Sequence, residues 1–123
     1  MAQIRGFLGF MIVNITRKRQ VAKSSKTCKS AFLKAFGLMF SRPINDFGLV
    51  FSFDNEALRP LHMMFVFYPI DALFLDKNRR IVEIKQNLRP FTLFFPKKRS
   101  QFVIELPKGA AAGCNIGDTI RFK

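Results

Sequence analysis

Apolar runs in this chain are short, and turn-forming residues close each of them. Ser41-Arg42-Pro43, Tyr68-Pro69, Asp76-Lys77-Asn78-Arg79, Pro107 and Gly117-Asp118 stand at the edges of stretches rich in Phe, Ile, Leu and Val. Short strands punctuated this often suit an all-β domain, either a β sandwich or a barrel-like sheet. Strands alternating with long helices are missing, which argues against a doubly wound α/β fold.

The periodicity places strands over residues 7–15, 19–23, 48–53, 63–67, 70–75, 80–85, 100–106 and 119–122. Asp76-Lys77-Asn78-Arg79 is a polar turn that joins 70–75 to 80–85 as a hairpin. In the second arm Val82 and Ile84 are expected on one face, with Ile81, Glu83 and Lys85 on the other. In 100–106, Phe102, Ile104 and Leu106 share a face. One short amphipathic helix is predicted: Cys28, Ala31, Phe32, Ala35 and Phe36 recur at helical spacing, and Gly37 follows as a C′ residue. Ala110-Ala111-Ala112, closed by Gly113, is predicted to form a C-terminal helical turn. Phe32, Phe36, Leu38, Phe51, Phe74, Val82, Ile104 and Leu106 are the expected core.

At 123 residues the chain suits a single domain, 1–123, with a basic N-terminal stretch of strands and linker (1–29) ahead of the main body (30–123). A domain of this size buries roughly two-thirds of its unfolded surface and needs no disulfide or metal to fold. Cys28 and Cys114 stand far apart in no CxxC unit, and there is a single histidine, so no common zinc set is present. No cofactor is expected. Both thiols read as small apolar residues in a reducing compartment, and a cytoplasmic location is expected. The apolar run 7–13 is far short of the ~20 residues that span a bilayer and lacks a small-residue cleavage site, so it reads as a strand.

Charge is distributed unevenly. The net charge is +13, and residues 1–45 contain nine Lys or Arg and no acid. Arg17, Lys18, Arg19, Lys23 and Lys26, with Lys29 beyond them, make one basic cluster. Lys97, Lys98 and Arg99 make another, beside Phe91-Thr92-Leu93-Phe94-Phe95. Basic residues interleaved with Phe are what single-stranded nucleic-acid binders use, and weak polyanion binding is the expected surface property.

An ordered set of local signatures runs along the chain: Gly37-Leu38-Met39-Phe40, Gly48-Leu49-Val50-Phe51, Met63 leading to Pro69-Ile70-Asp71, Phe74-Leu75-Asp76, Glu105-Leu106-Pro107-Lys108-Gly109 and Ile116-Gly117-Asp118. Over residues 30–123 this order resembles the domain-of-unknown-function family 192, small mainly β proteins without an established activity. The resemblance implies a β fold with a short helix before the Gly-Leu-Met element. Many members of that family carry polar residues of the Lys-Asn-Thr type between the equivalents of Met63 and Pro69. This chain has Met64, Phe65 and Val66 there, so packing, or at most an apolar groove, is expected in place of a polar site.

Two function classes follow. The first is a binding module whose basic surface holds an anionic or macromolecular partner. The alternative is a small-ligand binder or enzyme with an apolar pocket near His62, Met63, Met64, Phe65, Tyr68 and Asp71. Asp71 shares an apolar face with Leu73 and Leu75 and is expected to anchor the Tyr68-Pro69 turn by accepting backbone N–H bonds. His62 lacks a nucleophile in a recognised context, so no catalytic residue is assigned. Gly109, Gly113 and Gly117 lack the Gly-Lys-Ser/Thr step of a phosphate loop and read as turn residues.

Overall fold

A computed structural model describes residues 10–29 and 37–122, and among them are ten strands and no helix. The strands are β1 (Ile12–Asn14), β2 (Arg19–Ala22), β3 (Ser24–Cys28), β4 (Phe47–Ala57), β5 (Leu61–His62), β6 (Ile70–Leu75), β7 (Ile81–Leu88), β8 (Leu93–Phe94), β9 (Ser100–Pro107) and β10 (Ile120–Arg121). Five of them form a sheet in the order β3-β4-β9-β6-β7. In it β3 runs parallel to β4 and every other pair is antiparallel. A three-stranded sheet has the order β10-β1-β2, and β5 pairs with β8.

Side chains alternate across the five-stranded sheet, as the two-residue strand period requires. Val50, Leu73, Leu75, Phe102, Ile104 and Leu106 turn to one face and pack with Ile12, Ala22 and Ile120 of the three-stranded sheet. Leu49, Phe51, Ala72, Phe74 and Val103 turn to the other face and pack with Leu38, Met63, Val66 and Tyr68. Because both faces are covered, all six residues of β6 are buried. A strand in this position needs a continuous apolar run, which Ile70–Leu75 supplies with Asp71 as its one polar residue.

The strands over 48–53, 70–75, 80–85 and 100–106 are where the sequence places them, with β4 and β7 longer. Of the expected strand over 7–15, Ile12–Asn14 is seen; residues 7–9 lie outside the described residues. The Asp76–Arg79 turn joins β6 to β7, with Asp76 Oδ1 accepting the Asn78 and Arg80 N–H groups at 2.8 and 3.0 Å.

Four expectations are corrected. Cys28 ends β3, paired with Phe51, so it starts no helix; the rest of that proposed helix, with Phe32 and Phe36, falls on residues 30–36, outside the described residues. The proposed C-terminal helical turn is a succession of tight turns, with Ala110, Ala112 and Cys114 each donating to the carbonyl three residues back. Residues 63–67 form no strand. Val66 N–H bonds the Met63 carbonyl at 3.2 Å, and Phe65 takes φ 60°, so local turn bonds override the β propensity of Phe and Val. In β7 the register shifts between partners Phe74 and Leu75, leaving Val82 as an extra residue. This bulge returns Ile84 to the face of Ile81, against the alternation expected of a regular strand.

Candidate functional site

The face of the five-stranded sheet away from β1 carries a cavity of about 400 Å³. Its floor is Phe51 of β4 with Val103 and Glu105 of β9. Its walls are Gly37–Met39, the segment from Leu58 through His62 to Met63, and Val66. Strand parity decides which β9 residues reach it: Val103 and Glu105 point in, and Phe102, Ile104 and Leu106 point to the opposite core.

Glu105 is the central group of this site. It pairs across the sheet with Leu49 on one side and Ala72 on the other, so its neighbours on that face are apolar. It is 7% exposed and accepts no hydrogen bond from another described residue. Burial disfavours the charged form and pushes its carboxyl up to about 7. Gly37, at φ 47°, borders this floor: a Cβ there would lie 3.4 Å from Phe51 Cζ and 3.8 Å from Glu105 Oε1. The left-handed conformation suits glycine, whereas the space itself would admit a Cβ at ordinary contact distance.

Tyr68 lies behind the wall, its hydroxyl 2.6 Å from Ser41 Oγ, which in turn donates to the Leu38 carbonyl at 2.8 Å. Burial pushes the Tyr68 phenol up, the Ser41 hydrogen bond opposes this, and the nearby Glu105 charge adds to the rise. At the rim the Arg59 guanidinium stacks over the Phe53 ring at 3.9 Å and donates to the Asn55 carbonyl and Oδ1 at 2.6 and 2.7 Å. Burial and the neighbouring Arg99 lower the Arg59 pKa. His62 is exposed at the same rim, its Nδ1 accepting the Met64 N–H at 3.3 Å.

The residues singled out in the sequence are thus dispersed. His62 and Met63 line the cavity, Tyr68 sits behind it and Met64 turns to solvent. Asp71 is on the opposite face. Its Oδ1 accepts the Asn87 N–H at 3.0 Å, and its Oδ2 accepts Gly109 and Ala111 N–H at 2.9 and 3.0 Å. It anchors turns, as expected, but those around Asn87 and Gly109 rather than Tyr68-Pro69. No group of three His, Cys, Asp or Glu among the described residues could hold a metal ion. Glu105 does not stand out in the sequence, because the alternation of Phe102, Ile104 and Leu106 marks only one apolar face of 100–106. Val103, outside that face, is the signal that both faces are buried.

The basic clusters lie apart: Arg17 and Lys18 are in the β1–β2 turn, Arg19 in β2, Lys23 between β2 and β3 and Lys26 in β3, whereas Lys97, Lys98 and Arg99 precede β9. Arg17 lies in the β1–β2 turn, its Nε 3.1 Å from Asp118 Oδ2, and Asn14 and Asn115 also donate to that oxygen, each at 2.9 Å. Burial raises the Asp118 carboxyl, but these bonds outweigh it and hold the group below its ordinary value. Lys18, Arg19 and Lys23 are exposed, whereas Lys26 is half-buried. Before β9, the backbone N–H groups of Lys97 and Lys98 both donate to Glu83 Oε1, and Arg99 Nη2 reaches the Glu56 carbonyl at 3.1 Å. The lysine side chains of that turn are exposed.

A family model described as "Uncharacterized ACR", a domain of unknown function, matches residues 12–122. A UPF0127 protein of Pyrococcus horikoshii is 29% identical over 114 residues, covering 91% of this chain and 98% of its own. A UPF0127 protein of Thermococcus sibiricus is 32% identical over 114 residues, covering 89% and 73%. Two crystal structures share the fold: a candidate transcription regulator of Sinorhizobium meliloti (TM-score 0.81, 21% identity, covering 92% of this chain and 91% of that one) and a protein of unknown function from Novosphingobium aromaticivorans (TM-score 0.79, 22% identity, covering 91% and 82%). Among the described residues no helix is long and apolar enough to cross a membrane.

Proposed function

The chain belongs to the DUF192 family, a membership that brings no activity with it, and on that premise we propose that the domain binds a small, largely apolar molecule in the cavity above Glu105. The observation that carries this reading is a cavity of about 400 Å³ whose floor holds one buried carboxyl without a hydrogen-bond partner among the described residues. Small-molecule sites fall in the range of roughly 300–1,000 Å³ and combine an apolar lining with a few polar groups that set orientation. The Glu105 carboxyl faces the cavity, and a ligand donor placed against it forms a hydrogen bond in largely apolar surroundings. The ligand class is an apolar body with a hydrogen-bond donor or amine at one end. A carboxyl near its midpoint at neutral pH can accept from either.

The test is a cavity-filling substitution. Val103→Phe is expected to abolish the fluorescence rise of the apolar probe N-phenylnaphthylamine while leaving the denaturation midpoint unchanged or higher. In a filled core the same change would cost about 1–3 kcal/mol through overpacking, and that cost, or probe binding equal to the parent's, refutes the reading.

The second reading is a basic surface for anionic partners, favoured by the exposure of Lys18, Lys23, Lys97 and Lys98 between strands and of Arg19 at the start of β2. Its signature is weak affinity for nucleic acid that falls steeply with salt and is indifferent to base sequence. No enzymatic step is assigned under either reading.

A further inference from the structure

Four phenylalanines outside the cavity form a continuous exposed cluster. Phe40 and Phe65 stack at 4.9 Å, Phe65 meets Phe91 at 5.9 Å and Phe91 meets Phe67 at 5.2 Å. Their exposures are 68% for Phe40, 43% for Phe65, 62% for Phe67 and 45% for Phe91, far above what core packing leaves. Backbone bonds tie the loops that carry them: Phe40 N–H to the Phe65 carbonyl at 2.8 Å and Phe91 N–H to the Met63 carbonyl at 2.7 Å. Phe40, Phe65 and Phe91 all adopt left-handed φ, at 59°, 60° and 58°. That conformation is unfavourable for bulky residues, and here it holds rings outward without burying them.

Charge around the cluster is one-sided. The segments that carry the rings, residues 37–45, 63–70 and 87–94, contain Arg42 and Arg89 and no Asp or Glu. Exposed Arg42 and Arg89 stand two residues from Phe40 and Phe91. Exposed Met64 and Leu93 extend the apolar surface. An apolar patch rimmed by cations complements a surface that is apolar below and anionic above. A nucleic-acid platform offers open ring faces to successive bases. Here the rings spend faces and edges on one another, and Met and Leu share the patch.

We propose that this face docks the domain on an anionic bilayer, with Phe40, Phe65, Phe67 and Phe91 entering the boundary between headgroups and acyl chains while Arg42 and Arg89 meet lipid phosphates. The inference stands apart from the cavity, which none of these four rings lines.

Vesicle flotation tests it, with vesicles of phosphatidylcholine alone and of three parts phosphatidylcholine to one part phosphatidylglycerol. The protein is expected to float with the anionic vesicles and less with the neutral ones. The double variant Phe40→Ser with Phe67→Ser, both highly exposed, is expected to weaken partitioning by about tenfold or more at unchanged melting temperature. Arg42→Gln with Arg89→Gln is expected to weaken binding to the anionic vesicles alone. The proposal is overturned by absence of flotation at low salt, or by flotation indifferent to the Phe variant. It is equally overturned if light scattering finds a dimer that the Phe variant dissociates and that ignores vesicles. A single-stranded oligonucleotide that displaces vesicles, and whose binding needs the same rings, makes nucleic acid the partner instead.

Discussion

Glu105 and Asp71 are buried carboxyl residues on opposite faces of one sheet, and their partners set them apart. Asp71 accepts three backbone N–H bonds, from Asn87, Gly109 and Ala111. Asp71→Ala leaves those donors unpaired and is expected to cost about 3 kcal/mol or more, read as a lower urea midpoint, with Asp71→Asn intermediate. Glu105 accepts none from the described residues, and burial raises its carboxyl from the ordinary 4.5 to about 7. Between those values the unfolded chain has released the proton and the folded chain keeps it. The stabilising contribution is therefore full below the unfolded value and is lost as pH rises through about 7. Melting temperature is expected to fall across that window in the parent and to stay flatter in Glu105→Gln. The variant should be the more stable at pH ~8, by on the order of 3 kcal/mol. Parallel melting curves for the two proteins from acid to alkaline pH would contradict the environment described for Glu105.

At the scale of elements, the three-stranded sheet packs tightly on the five-stranded one at Gly48. Gly48 of β4 faces Ile12 of β1, and a Cβ there would collide with Ile12 Cδ1 and lie 3.1 Å from Leu106 Cδ2. Both neighbours are fully buried. Gly48→Ala is expected to push the sheets apart and cost about 1–3 kcal/mol, measured by chemical denaturation. The change touches no cavity residue, so probe binding should survive in the folded fraction. The bulges of β7 belong to this scale too. One inserts Val82; the other, between the partners of Ile70 and Ala72, includes Asn87 at φ 53°, whose N–H is held by Asp71. An edge strand bent in this way is a poor template for another chain.

Over the whole molecule, the two faces of the central sheet are covered differently. One face meets a second sheet; the other meets Leu38, Met63, Val66 and Tyr68, which lie outside regular strands. Irregular segments enclose space less completely than a sheet does, and the cavity lies on their side. The exposed Phe cluster is carried by the same loops. The proposed ligand site and the proposed membrane-docking face therefore share the loop-covered side, and the Val103→Phe and Phe40→Ser/Phe67→Ser variants separate them because they touch different residues.

Much of the fold was legible in local pattern. A two-residue period and turn chemistry act over a few neighbours, so the Ile70–Leu75 hairpin, the shared face of Phe102, Ile104 and Leu106, and the left-handed Gly37 could all be read from residues in order. The ordered signatures likewise pointed to the family whose model spans residues 12–122. The candidate site was not legible, because its meaning depends on distant partners. Glu105 looks like an outward polar residue until Leu49 and Ala72 flank it and loops cover its face. Asp71 and His62 are nine residues apart in sequence, yet β6 turns Asp71 into the opposite core. Residues 63–67 have the composition of a strand, and only the bonds from Met63 to Phe91, Thr92 and Val66 bend them into a turn. Short-range sterics and periodicity are written along the chain; burial, and with it the ionisation of Glu105, is a property of what the folded chain places on the other side.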